Sequence, residues 1–187
     1  MNKIFLFLFL CCFASLDAQN IKFNPKLGFG FYDIAFSEDQ EIDGKLMLTI
    51  GSDLRVGSKS LFFNTGLHFS TDGFTDDGNT FEDNGSFSFL RVPTQLGWYL
   101  YGREKNLAII LKGGLTHNFY LFQKNLGKDA SDLIKKYNLA TTFGLGTDIF
   151  KFVHVGLDID LGLTNYFDFD PIDGRKVAVL FNIGATF

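Results

Sequence analysis

From residue 45 onward the chain alternates apolar and polar side chains with a period of two. Over 45–56, Leu46, Leu48, Ile50, Leu54 and Val56 fall on one parity, broken only by Ser52. Lys45, Thr49, Gly51, Asp53 and Arg55 fall on the other. Successive side chains of a strand point to opposite faces, so this segment predicts a strand that is apolar on one side. The same split recurs at 61–70, 90–100, 107–121, 139–149, 153–164 and 177–187. The cleanest case sets Val153, Val155, Leu157, Ile159, Leu161 and Leu163 against His154, Gly156, Asp158, Asp160, Gly162 and Thr164. A further strand is predicted near 26–36, where the alternation changes phase around Phe31. Short links at 57–60, 102–106 and 150–152 alternate with longer polar stretches at 37–44, 71–85, 122–137 and 167–175. Within the third of these, 128–137 permits a short helix. Short turns at one end and long loops at the other predict an all-β, eight-stranded antiparallel up-and-down transmembrane barrel. Both termini then lie at the short-turn, periplasmic end.

The alternative is a soluble, secreted lipocalin-like barrel, whose apolar face points inward around a ligand. Its outer face would need Lys, Glu, Ser and Thr for water. Here the non-apolar face is rich in glycine (Gly51, Gly66, Gly97, Gly114, Gly144, Gly146, Gly156, Gly162, Gly184), which suits a crowded narrow interior. The apolar faces from residue 45 onward contain no Asp, Glu, Lys or Arg. A basic residue facing lipid near mid-bilayer costs roughly 2–4 kcal/mol, so a blank face is what lipid demands. Trp98, Tyr99, Tyr101, Phe150 and Phe152 at one strand end, and Tyr120, Phe122, Tyr166 and Phe167 at the other, are candidate aromatic girdles.

Lys3 followed by the apolar run Ile4 to Phe13 and small residues up to Ala18 has the plan of a secretory signal peptide. The run is too short to span a bilayer as a helix. The expected division is a signal over 1–18 and one barrel domain over 19–187. Cys11 and Cys12 both fall within the signal, which leaves the mature chain without thiol chemistry. The net charge of −4 offers no basic footprint for nucleic acid.

The stretch Phe89–Tyr101, FLRVPTQLGWYLY, resembles the proline-containing strand of the PorT-type outer-membrane β-barrel family of Gram-negative bacteria. Gly162–Tyr166, GLTNY, resembles the ending of that family's seventh strand, and the chain closes on Phe187 as its last strand does. The resemblance spans essentially the whole mature chain. It implies an eight-stranded barrel of the OmpA/OmpX kind, in a family with one member linked to protein secretion and most without an assigned activity.

Parity places Asp53, Arg55, Arg91, Lys112, Asp148, Asp158 and Asp160 on the inward face, with His68 and His154. Two readings compete: an ion path or a carboxylate pair at Asp158 and Asp160, and a structural ion network. Buried charges must be paired, and eight strands leave a lumen only wide enough for side chains, so the network is the expectation. His68 shares a face with Ser70, but there is no G-x-S-x-G elbow and no Cys/His cluster, so no catalytic residue, cofactor or metal centre is expected. His117 falls on the apolar parity, at an interfacial position.

The long loops are acidic: Glu38, Asp39, Glu41 and Asp43; then Asp72, Asp76, Asp77, Glu82 and Asp83; then Asp168, Asp170 and Asp173. Carboxylates suit hard divalent cations, which are expected partners, although the last stretch breaks the EF-hand spacing. The third loop is net basic through Lys124, Lys128, Lys135 and Lys136. The expected protein is a monomeric, non-enzymatic barrel in the cell outer membrane that acts through its loops. Its partners would be outer-membrane lipids and the barrel-assembly machinery, the latter reading Ile183, Ala185 and Phe187. A small conduit or a lipid-modifying barrel enzyme is the alternative.

Overall fold

A computed structural model describes residues 21–36, 45–57, 60–74, 85–102, 105–124, 134–168 and 174–187. The expected signal segment, the acidic stretch 37–44 and the loop residues Asp76, Asp77, Glu82, Asp83, Lys128, Asp170 and Asp173 lie outside these. Eight strands run in order: β1 (Ile21–Phe36), β2 (Lys45–Gly57), β3 (Leu61–Phe74), β4 (Gly85–Tyr101), β5 (Leu107–Lys124), β6 (Tyr137–Ile149), β7 (Val153–Gly162) and β8 (Gly174–Ala185). Each pairs antiparallel with the next, and β1 pairs with β8 from Lys26↔Gly184 to Phe36↔Gly174, closing the barrel. Closure satisfies the backbone N–H and C=O groups without water, which a wall facing lipid requires.

The apolar parity points outward. Leu96 is 70% exposed while its neighbour Gln95 is 3% exposed, and the same contrast runs along every strand. This excludes the lipocalin-like reading, whose apolar face would have to line the interior.

Several strands outrun the lengths expected from alternation. β1 begins at Ile21, β3 runs to Phe74, β4 starts at Gly85 and β8 starts at Gly174. Of 128–137, where a short helix was permitted, 128–133 lie outside the described residues and 134–137 form no helix: Ile134 bridges to Phe167 and Tyr137 opens β6. The backbone of β1 keeps one parity throughout, with Asn24, Lys26, Tyr32 and Ile34 all buried. The apparent phase change near Phe31 arises because the interior itself turns apolar there. Tyr32, Ile34, Met47, Phe87, Phe89, Ile134, Tyr166, Ala178 and Leu180 form a cluster inside the long-loop end, with Tyr120 and Phe167 packed on it. A smaller one, Phe62, Tyr99, Ala108 and Ile110, fills the short-turn end. Tyr99, Tyr120, Tyr166 and Phe167 therefore belong to interior packing and not to girdles; Trp98, Tyr101, Phe150, Phe152 and Phe122 do face outward.

Two local features follow from single residues. Pro93 has no N–H to donate, and the β3–β4 ladder lapses opposite it, between Thr65↔Thr94 and His68↔Arg91. The β6–β7 turn closes with the Phe152 N–H on the Ile149 carbonyl. Its central residues, Phe150 and Lys151, carry φ of 52° and 63°. Positive φ at both positions suits a two-residue hairpin, but costs roughly 1–2 kcal/mol for each non-glycine residue.

Candidate functional site

Between the two apolar clusters the lumen is a stack of ion pairs. Nearest the short-turn end, Arg55 on β2 donates from Nη1 to both Asp148 oxygens, at 3.0 and 3.2 Å, across the barrel to β6. His154 Nδ1 lies 2.7 Å from Asp148 Oδ1 and is held there by the Asp148↔His154 register of β6 and β7. The Arg55 guanidinium also sits over the Phe62 ring at 5.8 Å, joining this layer to the cluster below it.

The middle layer draws on six strands. Asp53 faces Lys26 Nζ at 2.8 Å and His68 Nε2 at 2.7 Å. Lys112 reaches Asp158 at 3.0 Å, Asn182 donates to the same oxygen at 3.0 Å, and Lys26 stands 3.8 Å from it. A methyl group on Gly144 would overlap both the Lys112 stem and the Asp158 carboxylate, so glycine there makes the pair sterically possible. Above it Arg91 pairs with Asp160, whose other oxygen accepts from Thr142 at 2.6 Å. At the long-loop end Lys176 pairs with Asp72, which also accepts from Tyr166 at 3.1 Å and Ser70 at 3.3 Å. The Lys176 ammonium stands 4.5 Å from the Tyr32 ring centre and 5.7 Å from those of Phe89 and Tyr166. Burial, and then the Asp72 charge, push the Tyr166 phenol well above its usual range, so it remains a donor.

Among the described residues the paired groups are five carboxylates (Asp53, Asp72, Asp148, Asp158, Asp160) and five cations (Lys26, Arg55, Arg91, Lys112, Lys176), a balance of zero. Lys26, Asp72 and Lys176 were not among the residues placed on the inward face from sequence. Lys26 sits in the strand of ambiguous phase, and Asp72 was assigned to an acidic loop. That assignment is corrected: Asp72 lies inside β3, fully buried, because pairing with β2 continues to Met47↔Asp72. It is a partner for Lys176, not a loop ligand for a divalent cation.

Each carboxylate of the stack is held by a cation. Asp158 and Asp160 share a face but are claimed by different cations, so neither is free to act as the other's acid or base partner. His68 faces Asp53 while the Ser70 hydroxyl donates to Asp72, which leaves no His–Ser couple. Among the described residues no group of three His, Cys, Asp or Glu is placed to hold a metal. Two cavities of about 20 and 30 Å³ flank Arg91, which lines both. A single water needs about 10–15 Å³ by the same measure, so these are water-sized and not ligand-sized. Asn138 Oδ1 beside the first and Asp158 Oδ1 beside the second are buried acceptors suited to such waters.

Ile183 and Phe187 project outward, at 55% and 66% exposed, with Ala185 between them on the same parity. Phe187 exchanges backbone hydrogen bonds with Phe23 and packs edge-on against Phe152 at 5.3 Å.

The family model described as "Outer membrane protein beta-barrel domain" matches residues 15–168. No curated protein matches the chain. Among solved structures, the chain is similar to Ail, the attachment invasion locus protein of Yersinia pestis, at 8% identity and a TM-score of 0.52, over 90% of this chain and 99% of that one. The Neisserial surface protein A is 10% identical with a TM-score of 0.45, over 88% and 97% of the two chains. At such identities the likeness to Ail shows the fold alone.

Proposed function

The chain belongs to the outer membrane protein β-barrel domain family, and from that premise we propose that it is a closed, monomeric, non-enzymatic barrel that acts through its extracellular loops. The observation that supports this reading is the lumen: among the described residues, five balanced ion pairs lie between apolar clusters at both ends, and each of the five carboxylates has a cation. What such a plug leaves accessible is the rim. Surface interaction, envelope integrity and assistance to secretion are the roles open to it, the last in keeping with the PorT-type motif at Phe89–Tyr101.

Residues 1–18 serve on this reading as the export signal. The outward face of Ile183, Ala185 and Phe187 serves as the segment that the assembly machinery reads. The acidic loops bind divalent cations through the carboxylates that remain in loops, among them Asp76 and Asp77. Calorimetry with millimolar calcium should give heat that Asp76→Asn with Asp77→Asn removes; absence of heat in the unaltered protein rejects the cation site.

Complementation tests the main reading. In a strain lacking the protein, detergent sensitivity is expected to be restored to normal by a barrel whose Arg91 and Asp160 are replaced together by Met and Leu. A barrel with 75–84 and 125–133 cut to short turns should fold but fail to restore it. The reverse pattern would assign function to the lumen, as a conduit or an enzyme would require.

A further inference from the structure

His154, the second residue of β7, is 1% exposed and packs into the Arg55–Asp148 layer at the short-turn end. Asp148, ionised beside Arg55, can only accept, so its Oδ1 at 2.7 Å fixes the hydrogen of the neutral ring on His154 Nδ1. Nε2 is then bare. Arg55 Nη2 stands 3.2 Å from Nδ1 and 3.4 Å from Nε2, nearly equidistant, which places the guanidinium over the face of the ring. A cation is attracted to a neutral aromatic face, but over an imidazolium it meets like charge.

The surroundings offer nothing to a second ring proton. Among the described residues the hydrogen-bond neighbour of Nε2 is Arg55, itself a donor. A methyl group on Gly146 would fall 2.8 Å from His154 Cε1, and one on Gly156 3.1 Å from Nε2, so these glycines are the bed on which the ring lies. His154 lines neither of the water-sized cavities beside Arg91. The charges that face it are Arg55 from β2, Asp148 from β6 and Lys112 from β5, while β8 brings Gly184 opposite it. Arg55 and Lys112 already match Asp148 and Asp158, so a protonated His154 would be a third cation against two carboxylates. We propose that the Arg55–Asp148–His154 layer is an acid-released latch, which holds the short-turn end while His154 is neutral and loses the Arg55 contact when Nε2 takes a proton. The latch lies in the lumen and does not depend on what the loops do.

Urea unfolding from lipid vesicles at pH 7.5 and at pH 5 tests it, with His154→Asn as the comparison. The Asn amide keeps a donor for Asp148 and cannot be charged. In an unfolded chain a histidine titrates near about pH 6.5, so a latch that needs the neutral ring loses stability as the pH falls below that value. Between the two pH values the unaltered barrel should lose about tenfold or more of its folding equilibrium beyond the loss shown by the variant. His68 and His117 are present in both proteins, so their own titration cancels from the comparison. A smaller difference, or a barrel that acid stabilises relative to the variant, would overturn the latch. Nitrogen-15 NMR of the histidine rings in the folded, unaltered barrel reads His154 directly and decides the matter if the variant does not fold. The ring should carry its hydrogen on Nδ1 and keep Nε2 bare at both pH values. A hydrogen on Nε2 at pH 7.5, or on both nitrogens of the folded barrel at pH 5, would overturn the proposal.

Discussion

The middle of the lumen and its long-loop end solve the same packing problem with opposite chemistry. In the middle, Asp53, Lys26, His68, Lys112 and Asp158 fill the space with paired charge. At the long-loop end, Tyr32, Ile34, Phe87, Phe89 and Leu180 fill it with apolar bulk, around the Lys176–Asp72 pair. A charged layer is held by complementarity: taking away one partner leaves the other buried and unpaired. An apolar layer is held by volume, and its loss leaves a cavity. The two halves should therefore fail differently.

The largest effect is expected in the middle. Asp53→Ala takes the nearer carboxylate from the Lys26 ammonium and the partner from His68 and should cost about 3–5 kcal/mol in urea unfolding from lipid vesicles. Replacing Arg91 and Asp160 together by Met and Leu should cost far less, because both charges leave at once. A double change as damaging as Arg91→Ala alone would mean that volume, not pairing, holds this layer.

Phe89→Ala should cost about 3 kcal/mol at the long-loop end, and there a smaller apolar replacement such as Leu should recover most of the loss. Recovery by Leu but not by Asn would mark the layer as volume-held; equal recovery by both would erase the contrast drawn here.

The same contrast explains what could be read from the sequence. Alternation reports a difference between two faces. Where lipid lies outside and charge inside, as at Leu90, Arg91 and Val92, the difference is large and parity separates the residues. Where both sides are apolar, as at Phe29, Phe31, Tyr32 and Ile34, the signal disappears although the strand continues. That is why β1 looked out of phase, why Tyr99, Tyr120 and Tyr166 resembled girdle residues, and why Asp72 passed for a loop residue. Pairing partners were less legible still. Arg55 and Asp148 are 93 positions apart and meet only because β2 faces β6 across a closed barrel.

The smallest effect concerns the β6–β7 turn, which lies outside both layers. Phe150→Asn with Lys151→Gly puts residues that tolerate positive φ at both positions and should stabilise the barrel by about 1–2 kcal/mol, with neither layer altered. No gain would mean that Phe150, 73% exposed, repays its strain as an outward anchor.

The claim beneath all of this is that paired charge and apolar caps seal the lumen. Recording from planar bilayers tests it most directly. The unaltered protein should show no stable conductance, and Arg91→Ala, which opens the wall between the two water-sized cavities, should leak. Reproducible open channels from the unaltered protein would contradict the account and make the barrel a conduit.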